Sequence, residues 1–296
     1  MTTLAHEESR ADAARLRWSR YRLRRLVWET VRYAVLLTFL GIFLVPIFWI
    51  CATALKSAQD ISVNPFGLPS QFHWDNLAQA WTVGHFSQYV ANSAIYCATI
   101  VAGVVACSCL AGYALALLPV PGRGPIFTLF LLGLMVPFQS IMIPIYYLLR
   151  DLHILETYLA FIVPAIALGL PFGIFLMRAF FRGLPPEIAD AGRVDGANEW
   201  TVFWRVMLPL ATPGLTTLIV FQFMGTWKAF LMPLVFVQLD ELRPVALGMM
   251  YFFGRYTADR GMVAAGVTIA MVPVIVLYLA LQRQFISGIT AGAVKS

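Results

Sequence analysis

Long apolar blocks, parted by short polar breaks, run through most of this chain. Six of them, at 33–55, 93–118, 126–149, 158–180, 213–237 and 262–283, reach the roughly twenty residues that cross about 30 Å of hydrocarbon. They lack the amphipathic period of helices on a soluble surface, so the pattern predicts an all-α membrane protein with six transmembrane helices. An arginine-rich segment, 1–32, precedes the first block, and no small-residue cleavage site follows that block. It is therefore expected to be a retained span and not a signal peptide. The organisation that follows is a basic segment over 1–32 and a transmembrane domain over 33–296.

Composition strengthens this picture. Of 296 residues, 60% are hydrophobic and 12% charged, with a mean hydropathy of +0.76, too little polar surface to wrap a soluble globule. The net charge of +6 does not point to nucleic acid, because the arginines gather beside the first membrane entry, where they set topology and meet the headgroups of membrane lipids. With the N-terminus in the cytoplasm, that side collects Arg10, Arg15, Arg17, Arg20, Arg22, Arg24, Arg25 and Arg32, then Arg123, Arg178, Arg182, Arg193, Arg205, Arg283 and Lys295. The other side receives only Lys56, Arg150, Arg243, Arg255 and Arg260. Positive flanks resist translocation, so both termini are expected to be cytoplasmic. Cys51, Cys97, Cys107 and Cys109 fall in or beside the blocks without metal-ligand spacing, and read as small buried residues with no metal or disulfide implied.

Between the first two blocks, the stretch 56–92 carries Phe72, Trp74, Trp81, Phe86 and Tyr89. Such residues suit an interfacial aromatic belt or a docking surface for an external partner. Prolines recur in the blocks, Pro137 and Pro144 in the third, Pro164 and Pro171 in the fourth, Pro233 in the fifth and Pro273 in the sixth. Each removes a backbone hydrogen bond and predicts a kink.

The break between the fourth and fifth blocks differs in kind. From Leu184 to Pro209 it reads as helix, turn, helix. Pro185 and Pro186 suit a helix start, Glu187 and Asp190 favour its positive end, Asp195-Gly196 signals a turn, Asn198 is a good N-cap, and Pro209 marks an end. Trp200, Phe203, Trp204 and Met207 fall at helical spacing on one side of the second helix. A short amphipathic pair of this kind wants a partner groove.

At these residues the chain resembles the coupling motif of ABC importer permeases: a Glu-Ala-Ala triplet, three residues, Gly, nine residues, then Ile-x-Leu-Pro. Here Asp190-Ala191-Gly192 occupies the triplet, Gly196 the glycine, and Val206-Met207-Leu208-Pro209 the close, with spacing intact. Glycine in place of the second alanine makes the first helix floppier by roughly 1 kcal/mol. Similar family patterns occur from Phe86 to Asn92-Ser93, at Pro144-Ile145-Tyr146, Thr157-Tyr158 and Leu170-Pro171-Phe172-Gly173, and in the tail from Gly288 to Lys295. The subfamily they resemble is the carbohydrate type, similar to maltose-transporter permeases.

The resemblance implies the type I ABC importer permease fold and a subunit that forms half of a sugar pathway. It implies three kinds of partner: a second homologous permease, two ATPase subunits and an extracytoplasmic solute-binding protein. Glu187, Asp190, Ala191, Gly192, Asp195, Gly196, Leu208 and Pro209 would then meet the ATPase, with the C-terminal tail as a further contact. ATP and Mg²⁺ would be bound by that partner: no lysine here follows a glycine, so the chain has no phosphate loop, and no catalytic residue or cofactor is expected. The alternatives are a permease for glycerol phosphate or glycerophosphodiesters, and an ion-coupled secondary transporter. The latter needs intramembrane carboxylates or histidines, which the blocks lack.

Lys228 lies inside the fifth block, where the sugar subfamily commonly has Trp-Asn-Glu and this chain has Trp227-Lys228-Ala229. A mid-span lysine costs about 2.5–3.5 kcal/mol unless it faces protein or water. It is expected either to snorkel to the outer interface or to line the translocation pathway with Trp227, Gln222 and Gln139.

Overall fold

Proline and lysine interrupt two of the six apolar blocks. The computed structural model describes the backbone of residues 2–255 and 259–293, and side chains of 24–250, 252–255, 259–280 and 282; among them every regular element is helical. The arginine side chains before Arg24, Arg283 and the tail side chains through Lys295 lie outside the described residues. Among the described residues four helices are long and apolar enough to cross a bilayer, Arg24–Ala54 within α1 (Thr2–Ala54), α4 (Phe86–Leu117), α7 (Leu159–Gly183), and Arg260–Ala280 within α14 (Arg260–Ala293), and the number rises to six if each of two bent helix pairs is one span.

The block expected at 126–149 is not one helix. α5 (Arg123–Gly133) and α6 (Phe138–Asp151) meet at 96°, with Pro137 extended as the α6 N-cap (φ −70°, ψ 136°). Proline has no N–H for the helical ladder and pushes the preceding residue out of the α region. The block expected at 213–237 also divides. α11 (Thr212–Trp227) ends on Lys228 as its C-cap, and α12 (Leu231–Phe236) holds Pro233 in a separate short helix. The apolarity of 229–237 serves packing and not a longer span, since Phe236 is buried with its ring edge against Phe138, 5.9 Å between centroids. By contrast, α7 continues through Pro164 and Pro171, and α14 through Pro273.

α4 and α7 form the centre. Tyr96 meets Phe161 edge-on at 4.9 Å, and Val104, Ser108 and Gly112 face Gly169, Gly173 and Met177 at the same sequence offset, so the two helices run parallel. Small residues let the backbones approach. A Cβ at Gly173 would lie 2.1 Å from Ser108 Oγ, and one at Gly112 would lie 2.8 Å from Met177 Cβ and 2.9 Å from the Arg178 amide. α11 runs the opposite way, with Gly214 against Phe180 and Gln222 beside Gly169.

One end of the bundle gathers the end of α1, the starts of α4 and α14, and the stretch 56–92, which carries α2 (Ala58–Val63) and α3 (Asp75–Thr82). Lys56, expected in an outer loop, is only 1% exposed. Its Nζ donates to Asn64 O at 2.7 Å, and Asn76 Nδ2 donates to Ala54 O at 3.0 Å and Lys56 O at 2.9 Å. Phe86 and Tyr89, read as surface aromatics, are core residues; Phe72, Trp74 and Trp81 are exposed.

At this end the α4 side chains also hold the loop 238–244, which leads into α13 (Val245–Arg255). Asn92 Nδ2 donates to Glu241 O at 2.7 Å and Arg243 O at 3.0 Å, Tyr96 Oη to Leu242 O at 2.9 Å, and Tyr158 Oη to Asn92 Oδ1 at 2.7 Å. All four cysteines are free thiols. Cys97 and Cys109 are buried and Cys51 half-buried, but Cys107, read as a buried residue, is exposed.

Candidate functional site

The opposite end of the bundle carries the polar hairpin. α8 (Pro186–Val194) starts with proline and Glu187 in its first turn, where a missing N–H costs nothing and negative charge is favoured. It closes through Asp195 N donating to Ala191 O and Gly196 N to Arg193 O, both at 3.0 Å. Gly196 has φ +82°, as the turn signal predicts. Asn198 Oδ1 then accepts from Thr201 N at 2.9 Å and caps α9 (Glu199–Thr201). Gly192 is not demanded by packing, since an added Cβ would meet Val202 at an ordinary 3.4 Å.

Past α9 the helix widens into a π turn, Val202–Met207, and re-forms as α10 (Leu208–Leu210). This overturns the single aromatic face. A π turn holds more than 3.6 residues, so side chains that α spacing aligns fan onto two faces. Phe203 and Met207 point into the core, while Trp200 and Trp204 stay 63% and 57% exposed. Pro209 lies in the last turn of this stretch, as expected: the helix stops at Leu210, and the chain bends by 76° between Leu210 and Thr212.

An ionic network, absent from the sequence reading, ties this hairpin to the spans. Arg193 Nη1 donates to Asp190 Oδ1 at 2.6 Å, and its Nε to Glu199 Oε1 at 2.7 Å. Tyr113 Oη, from α4, donates to Glu199 Oε2 at 2.8 Å. The Arg193 guanidinium holds the Glu199 carboxyl below the usual carboxylate range; partial burial opposes it and the Tyr113 hydroxyl assists. The buried Tyr113 ring packs edge-on against Phe181 at 5.6 Å and Phe203 at 5.2 Å, so α4, α7 and the π turn meet on one side chain. The spacing Asp190 to Arg193 was a legible signal. The long-range Tyr113 partner was not.

The motif positions are otherwise open: Glu187, Asp190, Ala191, Asp195, Gly196 and Pro209 are exposed and Leu208 is half-buried. The second set of candidates is spread out. Lys228 is exposed at the end of α11, and Gln139 is exposed in the first turn of α6. Gln222 is half-buried against α7 and donates to Thr226 Oγ1 at 3.4 Å. Trp227 is 6% exposed, stacked on Phe223 at 5.6 Å and donating to Ala270 O at 3.1 Å, so its ring is taken up by packing against α14. Among the described residues, no group of three or more His, Cys, Asp or Glu is arranged to hold a metal ion.

The model of the family described as binding-protein-dependent transport system inner membrane component matches residues 103–290. The chain belongs to this family. This permease is a transport subunit of the inner membrane and not an enzyme, as the hairpin motif implied. A diacetylchitobiose uptake system permease protein of Streptomyces coelicolor is 31% identical over 270 residues, covering 90% of this chain and 89% of that protein. An arabinooligosaccharides transport system permease protein of Halalkalibacterium halodurans is 32% identical over 274 residues, covering 91% and 97%. A solved bacterial ABC transporter involved in the import of the acidic polysaccharide alginate has a chain of the same fold, with a TM-score of 0.74 at 22% identity over 88% of this permease and 96% of that chain.

Proposed function

We propose that this permease forms half of the translocation pathway of a sugar importer, with six spans and both termini in the cytoplasm. Its hairpin 186–210 takes up movement from a separate ATPase. The observation that carries the reading is the Asp190–Arg193–Glu199–Tyr113 network: a push on the exposed acidic edge of α8 reaches α4 through hydrogen bonds, and reaches α7 through Phe203 and Phe181. Rigid packing then moves α4 and α7 together, since little in their glycine-lined seam can yield.

The partners in this reading are a second permease, two ATPase subunits that bind ATP and Mg²⁺, and an extracytoplasmic binding protein. Topology is supported by geometry as well as by arginine placement. α1 arrives at the end from which α14 departs, so their other ends leave on the same side. Parallel α4 and α7 also require the bent pair α5 and α6 to carry the chain back between them. Sugar as the solute is supported by relatives named for diacetylchitobiose and arabinooligosaccharides. Gln139, Gln222 and Lys228 contribute to the pathway, with Trp227 anchoring the end of α11 behind them.

The test is to reconstitute the permease with its ATPase and binding protein, load the binding protein with candidate solutes, and measure ATP hydrolysis. Stimulation by an oligosaccharide-loaded binding protein is expected. Stimulation by a non-sugar solute alone, with no response to any saccharide, overturns the assignment.

A further inference from the structure

Three arginines surround a small cavity at the hairpin end of the bundle, and the hairpin network does not use them. Arg123 opens α5, while Arg178 and Arg182 lie in the last two turns of α7; with Leu115 and Ala116 they line a space of about 110 Å³. Arg178 is fixed in place: its Nε donates to Leu115 O at 3.2 Å, and its guanidinium lies over the Phe127 ring, 3.9 Å from the centroid. Among the described residues none of the three has a carboxylate partner, although Arg193, Arg150 and Arg25 elsewhere all do.

Three like charges held around one cavity repel each other unless something negative sits among them. The space is far below the roughly 300 Å³ of an ordinary small-molecule pocket, which suits a single tetrahedral oxyanion. Its setting narrows the choice of anion. The site lies where α4 and α7 end and α5 begins, at the level where apolar helix gives way to polar chain. Ile126 and Leu129, one and about two turns beyond Arg123, are exposed and offer acyl chains an apolar track leading away from the arginines. Guanidinium groups favour phosphate through paired, planar N–H donors, and basic pockets between helices at a membrane surface recruit anionic headgroups.

We infer that Arg123, Arg178 and Arg182 form a binding site for the phosphate of an anionic phospholipid, wedged between α4, α5 and α7 beside the coupling hairpin. The inference requires only that these helix ends meet a bilayer surface, so it stands or falls apart from the choice of solute and from the ATPase contact.

The test uses the assembled transporter in detergent, followed by native mass spectrometry during titration with phosphatidylglycerol, phosphatidylcholine or inorganic phosphate. Arg123→Gln with Arg182→Gln removes two exposed charges and spares Arg178, whose loss endangers folding. Arg150→Gln, at the ion pair with Asp151, is the control for net charge. The expected result is preferential retention of phosphatidylglycerol, weakened roughly five-fold per arginine and about 25-fold in the double variant, unchanged in the control, and competed by inorganic phosphate. Equal phosphatidylglycerol affinity in wild type and double variant overturns the site. So does phosphate binding with no preference among lipids, which marks a soluble-anion site, and so does loss of an ATPase subunit with lipid retention unchanged, which assigns the arginines to a protein carboxylate.

Discussion

At Gly196 the backbone takes φ +82°, and a Cβ added there meets nothing within 4 Å. A larger residue therefore disturbs conformation and not packing within this chain. Valine in that left-handed region costs about 1–3 kcal/mol, whereas asparagine visits it readily. Gly196→Val is expected to abolish solute-stimulated ATP hydrolysis in reconstituted transporter while the complex still assembles, and Gly196→Asn to keep most of it. Equal loss in both, read in the same assay, would mean that a partner surface presses on this turn. Tyr113→Phe leaves the ring against Phe181 and Phe203 but removes the hydrogen bond to Glu199. The expected cost is about 1–3 kcal/mol in the stability of the hairpin contact, because a carboxylate loses a partly buried donor. The transporter should then hydrolyse more ATP per solute moved, which paired transport and ATPase measurements will reveal. The turn at Gly196 and the cap at Asn198 were legible because both act within a few residues. Tyr113 was not, because its partner is brought to it by the packing of α4 on the hairpin.

Among the elements, the α4–α7 pair depends on the absence of side chains at its seam. Gly112→Leu drives a Cβ to 2.8 Å from Met177 Cβ and 2.9 Å from the Arg178 amide, atoms that cannot swing away. It should lower stability by about 1–3 kcal/mol or more, seen as a reduced thermal midpoint of the detergent-solubilised complex. Gly124→Leu, with open space around it, should leave the midpoint unchanged. The end of α11 allows a different measurement. Lys228 caps that helix and is exposed, so Lys228→Met should reduce transport with little change in basal ATP hydrolysis or assembly, and more steeply for an anionic solute than a neutral one. Equal transport of both by the variant and wild type would remove Lys228 from the pathway. The sequence located these apolar blocks but not the breaks within two of them: proline at 137 interrupts a span, while prolines at 164 and 171 do not. Which of them breaks a helix is decided by what the neighbouring residues pack against.

For the whole molecule, the arrangement of α1, α4, α7 and α14 predicts where reporters will work. A cytoplasmic reporter should be active when fused after Ser296 and inactive when fused after Asp151; the reverse pattern would contradict the proposed topology. Apolar block length and arginine placement determined, without any structure, that this is a helical membrane protein with a polar hairpin, and the resemblance carried by the residues from Asp190 to Pro209 implied a permease. These are local or one-dimensional properties: the free energy of placing each residue in lipid, at its interface or in a turn depends mainly on the residue and its near neighbours. Only the tertiary structure decided that α4 and α7 run parallel, that Lys56 is buried, that the two tryptophans of the hairpin part from Phe203 and Met207, and that three arginines share one cavity. Each of those depends on residues distant in sequence being brought within a few ångströms by packing, and no pattern along the chain encodes such a distance.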